Sequence, residues 1–322
     1  MRPVQLHQAD KVEITVLVDN MTDLLAQDTA VVKRLRVMPP HAPMAEHGLS
    51  YLISVHAGKE RHTILMDAGI SGTCLKHNAR LLRSSHAVAN GMVGHCADDV
   101  QSIVLSHGHY DHFGGLPAFL EDREEKLPLV VHPGAFVERR RKLGPDFYVP
   151  LPTLTEASLT QAGAVLDQRT TASALASGLM MVSGQVARQT DFETGSPGME
   201  IHTGEQWTID PFDDDQALAV DLKGCGLVIM GGCCHAGIIN TIEHLRQLTG
   251  QKTVHAVFGG FHLSGADQAS IARTVKEMAR FSPDLIVPMH CTGWSAMTAF
   301  AAAMPHQFIL NSVGTTYILE SG

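Results

Sequence analysis

Apolar and polar positions alternate with a period of two over much of the first third of the chain. Val12–Asn20 (VEITVLVDN), Leu49–His56 (LSYLISVH) and His62–Gly69 (HTILMDAG) read as strands, and the AGKER between the last two reads as a hairpin turn. Asp98–His107 (DDVQSIVLSH) and Pro128–Pro133 (PLVVHP) hold two further buried strands, with a helix beginning near Gly115 between them. From Gly134 to about Pro211 the alternation is lost among scattered Pro, Gly and Thr, which predicts an irregular segment. QALAVDL and GLVIMGG then read as strands joined by a tight turn at Lys223–Gly226. Strand and helix alternate to the end: a helix over Asn240–Leu248, the strand VHAVFGG, a helix over Gln268–Arg280, the strand DLIVPMH, a helix over Trp294–Met304 and the strand TTYILE. Two halves that each run from strands into alternating strand and helix predict an α/β (α+β) protein layered as an αββα sandwich. A single domain over residues 1–322 is expected, with an insertion near 134–200 whose looseness hints at substrate contact.

Against that pattern, one stretch stands out for chemistry. VLSHGHYDHFGGL (Val104–Leu116) places His107, His109, Asp111 and His112 directly after an apolar run and before two glycines. Residues two apart on an extended segment point the same way, so His107 and His109 can hold one metal ion. Asp111 and His112, across the following turn, can hold another. Imidazole and carboxylate suit zinc, manganese or iron rather than calcium. The glycines let the backbone turn tightly between ligands.

SHGHYDHFGGL resembles the His-x-His-x-Asp-His signature of the metallo-β-lactamase superfamily, and ILMDAG resembles its preceding strand and Asp-containing turn. GGCCHAGIIN (Gly231–Asn240), FGGFHL (Phe258–Leu263), VPMHCTGW (Val287–Trp294), EHGLSYLI (Glu46–Ile53) and DDDQALAV resemble one subgroup, which contains proteins named 7,8-dihydropterin-6-methyl-4-(β-D-ribofuranosyl)-aminobenzene-5′-phosphate synthases. The resemblance implies a four-layer αββα metallo-β-lactamase sandwich carrying one or two transition-metal ions, zinc first. It implies that His290, at the end of an apolar strand, joins the Asp111/His112 metal. His235 is the next expected ligand. Where the wider superfamily has a Gly-Asp supplying a bridging carboxylate, this chain has Gly232-Cys233, with the histidine two residues later. Cys233 is a soft donor if deprotonated, but reads first as a small buried residue. His262 reads as pocket wall, and His47 and Asn20 as substrate-pocket residues. Asp67 is expected to brace a ligand histidine; His132 and His202 are expected outside the ligand set.

Composition narrows the function. A net charge of −9 disfavours nucleic acid and anionic membrane surfaces. No run of about 20 uncharged apolar residues could span a bilayer. The six cysteines lack disulfide-framework spacing and read, with the methionines, as core filling in a cytoplasmic protein. ERRRK (Glu138–Lys142) reads as a solvated face, with phosphate binding as its second reading. A metal ion held as described activates water and polarises a carbonyl or phosphoryl oxygen, and Asp111 can accept the proton of that water. Hydrolysis of a small-molecule ester, thioester, amide or phosphoester is therefore the first expectation. The condensing synthase is the second, and a non-catalytic metal-binding regulator the third. Substrate and oligomeric state are not legible.

Overall fold

The computed structural model describes residues 3–37, 40–83, 97–196 and 198–322; Cys96 lies outside them. An eight-stranded sheet has the order β2 (Val32–Lys33), β18 (Thr316–Glu320), β1 (Lys11–Val18), β3 (Ser50–Ala57), β4 (Glu60–Met66), β5 (Ser102–Val104), β6 (Leu127–Val131), β9 (Ala164–Gln168). A six-stranded sheet has the order β10 (Thr171–Leu175), β11 (Met180–Gly184), β14 (Ala217–Leu222), β15 (Gly226–Gly231), β16 (Val254–Gly260), β17 (Leu285–Met289).

The period of two explains how these sheets stack. Val12, Ile14, Val16, Tyr51, Ile53 and Val55 point into one core with Val220, Val228, Phe258 and Val287 of the other sheet. The intervening Leu17, Leu52 and Leu65 point out, against Leu75, Leu116, Phe119 and Leu159 of the helices Gly72–Leu82, Leu116–Glu121 and Glu156–Ala162. On the far side, Ala219, Ile229, Val257 and Ile286 pack against Ile242, Leu245, Val275, Met278 and Phe300 of the helices Ile238–Thr249, Gln268–Phe281 and Trp294–Ala303. Three apolar cores between four layers make the αββα sandwich.

The segment expected to be irregular is not. Between Gly134 and Pro211 the described residues form seven strands and one α-helix. β9 extends the first sheet, while β10 and β11 edge the second. The rest forms a third sheet, ordered β13 (Gln206–Ile209), β12 (Met199–Thr203), β7 (Arg139–Lys142), β8 (Tyr148–Pro150). These strands are three to five residues long and half exposed, so little apolar alternation marks them. The RRRK of β7 is a strand because it pairs with Met199–Ile201 and with Tyr148–Pro150, not because of its own propensity.

β4–β5–β6–β9 and β15–β16–β17 run parallel. Side chains just past the carboxyl ends of parallel strands converge in one crevice, and every candidate ligand but His47 follows such an end.

Candidate metal centre

His107 follows β5, and His109 stands two residues on. The Nε2 atom of His235, past the end of β15, lies 3.2 Å from His107 Nε2 and 3.2 Å from His109 Nδ1. Four-coordinate ligands about 2.0–2.1 Å from a zinc-sized ion stand about 3.3–3.4 Å from one another, so this triangle fits one ion. Burial holds all three imidazoles in the neutral, coordinating form: His107 and His235 titrate well below the usual histidine range, and His109 is pushed down to about 3. Phe212 stacks on the His235 ring at 4.2 Å and 7°.

A second group adjoins the first, with the His112 ring 4.2 Å from that of His107. Asp111 Oδ2 lies 3.2 Å from His290 Nε2, 3.2 Å from His47 Nε2 and 3.9 Å from His112 Nε2. Burial alone would raise the Asp111 carboxyl, but the His112, His290 and His47 imidazoles hold it below the usual carboxylate range. Burial opposes charge on His112 too, yet the Asp67 and Asp111 carboxylates push it up to about 9. The two carboxylates thus favour positive charge at this group, which a bound metal ion would supply. The expected set His107, His109, Asp111, His112, His235 and His290 is brought together.

The other candidate residues are placed as follows. His47, expected to meet substrate, touches Asp111 and belongs with His290 to a set of donor atoms close enough for one ion. Asn20, expected in the pocket, is exposed, and its Nδ2 donates to the His290 carbonyl. Its neighbour Asp19, which the sequence did not single out, accepts from the His290 N–H. His262 lies with its ring 4.1 Å from that of His235, as pocket wall would. Cys233 is not mere filling, since its Sγ is 3.1 Å from His112 Nε2. His132 accepts from the Gly134 N–H, and His202 packs on Trp207, neither among the clustered donors.

Asp67 does brace a ligand. It is fully buried, accepts from the backbone N–H and hydroxyl of Ser106, and lies 2.6 Å from His112 Nδ1. That bond leaves His112 Nε2 facing the other donors. A second brace escaped the sequence entirely. Arg139, opening the supposed basic face, is buried and donates to Asp210 Oδ2 at 2.9 Å and Asp214 Oδ1 at 2.8 Å. Asp214 Oδ2 in turn accepts from Gly108 N, between the two histidines. Asp215 accepts from Ala236 N beside His235, and burial pushes its carboxyl up to about 7. Arg140 pairs with Glu200 and stacks between Tyr148 and Trp207. Arg139 and Arg140 are thus committed to internal partners, and Arg141 and Lys142 are the exposed cations of ERRRK.

Backbone strain concentrates at the same place. Of the eight non-glycine residues with positive φ among the described residues, Asp67, Phe212, Cys234, His262 and His290 adjoin these groups. Such conformations cost about 1–3 kcal/mol each and persist where surroundings enforce them.

Residues 62–198 match the model of a family described as a beta-lactamase superfamily domain. An uncharacterized protein of Methanocaldococcus jannaschii is 30% identical over 84% of this chain and 92% of its own. The chain belongs to the metallo-β-lactamase superfamily. A second superfamily relative from the same organism, named 7,8-dihydropterin-6-methyl-4-(β-D-ribofuranosyl)-aminobenzene-5′-phosphate synthase, is 27% identical over 82% of this chain and 87% of its own. A crystal structure described as a metal-dependent hydrolase of the beta-lactamase superfamily shares the fold, with a TM-score of 0.70, 21% identity and coverage of 97% of this chain and 99% of that one.

A cleft of about 700 Å³ is lined by Thr171, Gln185, Arg188, His244 and Phe212, the ring that stacks on His235. Its polar groups are paired internally, Gln185 with Asp213 and Arg188 with the Glu193 and Pro211 carbonyls. No helix among the described residues is long and apolar enough to cross a membrane.

Proposed function

We propose that this superfamily member is a metal-dependent hydrolase of a small-molecule ester, thioester, amide or phosphoester, with His107, His109 and His235 holding one ion and Asp111, His112 and His290 a second. The observation that carries the reading is the convergence of three neutral imidazoles and an adjoining carboxylate-imidazole group at one crevice. Ions held there, zinc first, lower the pKa of water toward neutrality and polarise the carbonyl or phosphoryl oxygen.

The chain's own residues do the rest. Asp111 is kept ionised and is partly open to solvent, with 19% of its side chain exposed, so it can accept the proton of the attacking water. His47 bonds to Asp111 while leaving 63% of its side chain exposed, which orients the carboxylate and offers a contact to substrate. His262 forms the opposite wall beside His235. Tyr110, between His109 and Asp111, and Trp294, four residues past His290, are exposed aromatics able to stack on a planar substrate.

A second reading follows the synthase relative: the same groups would serve a condensation of a dihydropterin with a ribofuranosyl-aminobenzene phosphate. The complete donor set argues against a non-catalytic regulator. The test is elemental analysis after zinc or manganese loading, followed by assays on chromogenic ester, thioester, amide and phosphodiester substrates. Bound metal and turnover lost in His109→Ala support the hydrolase. A folded protein that takes up no metal overturns it, and formation of the condensed pterin without any hydrolysis selects the second reading.

A further inference from the structure

Three neighbouring parallel strands, β15, β16 and β17, end at Gly231, Gly260 and Met289. Two residues beyond each end stand Cys233, His262 and Cys291. Equal offsets past adjacent ends bring their side chains to one spot, and the two sulfurs and an imidazole nitrogen lie within 4.8 Å of one another. His262 and Cys291 belong neither to the histidine triangle nor to the Asp111 group, whereas Cys233 also lies within reach of His107 and His112.

The backbone is shaped to allow this approach. A Cβ on Gly260 would sit 2.5 Å from Cys291 Sγ, so only glycine leaves room for the sulfur there. His262 is held at φ 45°, with the preceding Phe261 N–H donating to Thr292 Oγ1 one residue past Cys291. Ser196 Oγ, from the segment leading into β12, lies 2.9 Å from His262 Nε2 and fixes the ring. Neither sulfur is in a disulfide. Two sulfurs and an imidazole are a soft donor set, of the kind that selects zinc or copper(I) over magnesium, calcium or manganese.

We propose that Cys233, His262 and Cys291 bind a further thiophilic metal ion, zinc first, beside the histidine-carboxylate centre. Cys233, whose Sγ also faces His112 Nε2 at 3.1 Å, then stands between the two as a bridging thiolate. The proposal rests on the hydrolase reading only for that neighbouring centre; the three donors stand on their own geometry. Binding releases the thiol protons to solvent, so affinity rises with pH. The ion ties three strand ends together at the floor of the crevice.

The experiment is a cobalt(II) titration of the reduced, metal-stripped protein under anaerobic conditions, followed by absorption and elemental analysis. Thiolate ligation shows as an intense near-ultraviolet sulfur-to-cobalt band, separate from the weaker visible bands of imidazole and carboxylate sites. The expected result is such a band in the parent, and in Cys291→Ser a loss of most of it together with one bound ion per chain, the visible bands of the histidine centre remaining. His262→Gln should lose the same ion, which guards against a folding defect peculiar to one variant. His109→Ala should do the opposite, weakening the visible bands and keeping the sulfur band. A parent saturated with cobalt but lacking the sulfur band overturns the proposal, as does a folded Cys291→Ser protein that binds as many ions with the same band. A sulfur band that persists while no ion enters the histidine centre would defeat the hydrolase reading and leave this one standing.

Discussion

Replacing Arg139 with methionine tests how the metal-binding loop is held. Methionine is close in length to the aliphatic part of arginine, so the substitution removes charge and donors with little loss of packing. Arg139, Asp210 and Asp214 have side-chain exposures of 3%, 2% and 1%. Two buried carboxylates are therefore stranded at once, along with the Gly134 carbonyl that Arg139 also caps. Removing one partner of a buried pair costs about 3–5 kcal/mol, a large part of the about 5–15 kcal/mol that holds a typical domain. The loss has a sign in pH. Burial already raises the Asp214 carboxyl even with Arg139 beside it. Without the guanidinium the Asp214 carboxyl rises further, and the folded state then holds more protons than the unfolded one. The variant's deficit should therefore grow as pH rises from about 4 to about 8. Urea unfolding of the metal-free protein at several pH values measures it. The triple variant Arg139→Met/Asp210→Asn/Asp214→Asn, which buries no charge and keeps an acceptor for Gly108 N–H, should recover much of the stability. A deficit in Arg139→Met below about 1 kcal/mol at neutral pH would show that the clasp is not what holds this loop.

Four other substitutions probe the centre. Asp111→Asn, nearly isosteric, should leave the fold intact and lower turnover of any confirmed substrate by about 10²- to 10⁴-fold through the lost proton acceptor alone; near-parental turnover would remove Asp111 from the mechanism. Asp67→Asn should weaken metal binding at the His112 site by about 10- to 100-fold, seen by competition with a chelating dye, because the His112 ring loses its carboxylate brace. Gly108→Ala places a Cβ 2.2 Å from the Ala135 carbonyl oxygen, so thermal unfolding should show a loss of about 1–3 kcal/mol, and an unchanged Tm would refute the close packing. His132→Asn keeps an acceptor for Gly134 N–H, and its metal content by elemental analysis should equal that of the parent.

The local chain alone dictated the central strands of the two large sheets and their layering, but not the edge strands β2, β9, β10 and β11. Period-two alternation in VEITVLV, LSYLISV and HTILM states which face is buried before any partner is known. The His107–His112 cluster was equally legible, because its ligands are near neighbours whose spacing already determines where they point. What lay beyond the sequence are features made by contact between distant segments. RRRK became a strand only through pairing with Met199–Ile201 and Tyr148–Pro150, and Arg139 a buried clasp only because Asp210 and Asp214 stand about seventy residues on. His47 met Asp111 and Asn20 met the His290 carbonyl by choices of side-chain direction that a one-dimensional pattern does not encode. Cys233, His262 and Cys291, spread over 59 positions, meet because β15, β16 and β17 are adjacent and end in step. Hydrophobic pattern is a local property of the chain, whereas the meeting of polar side chains depends on which strand ends the sheets set side by side.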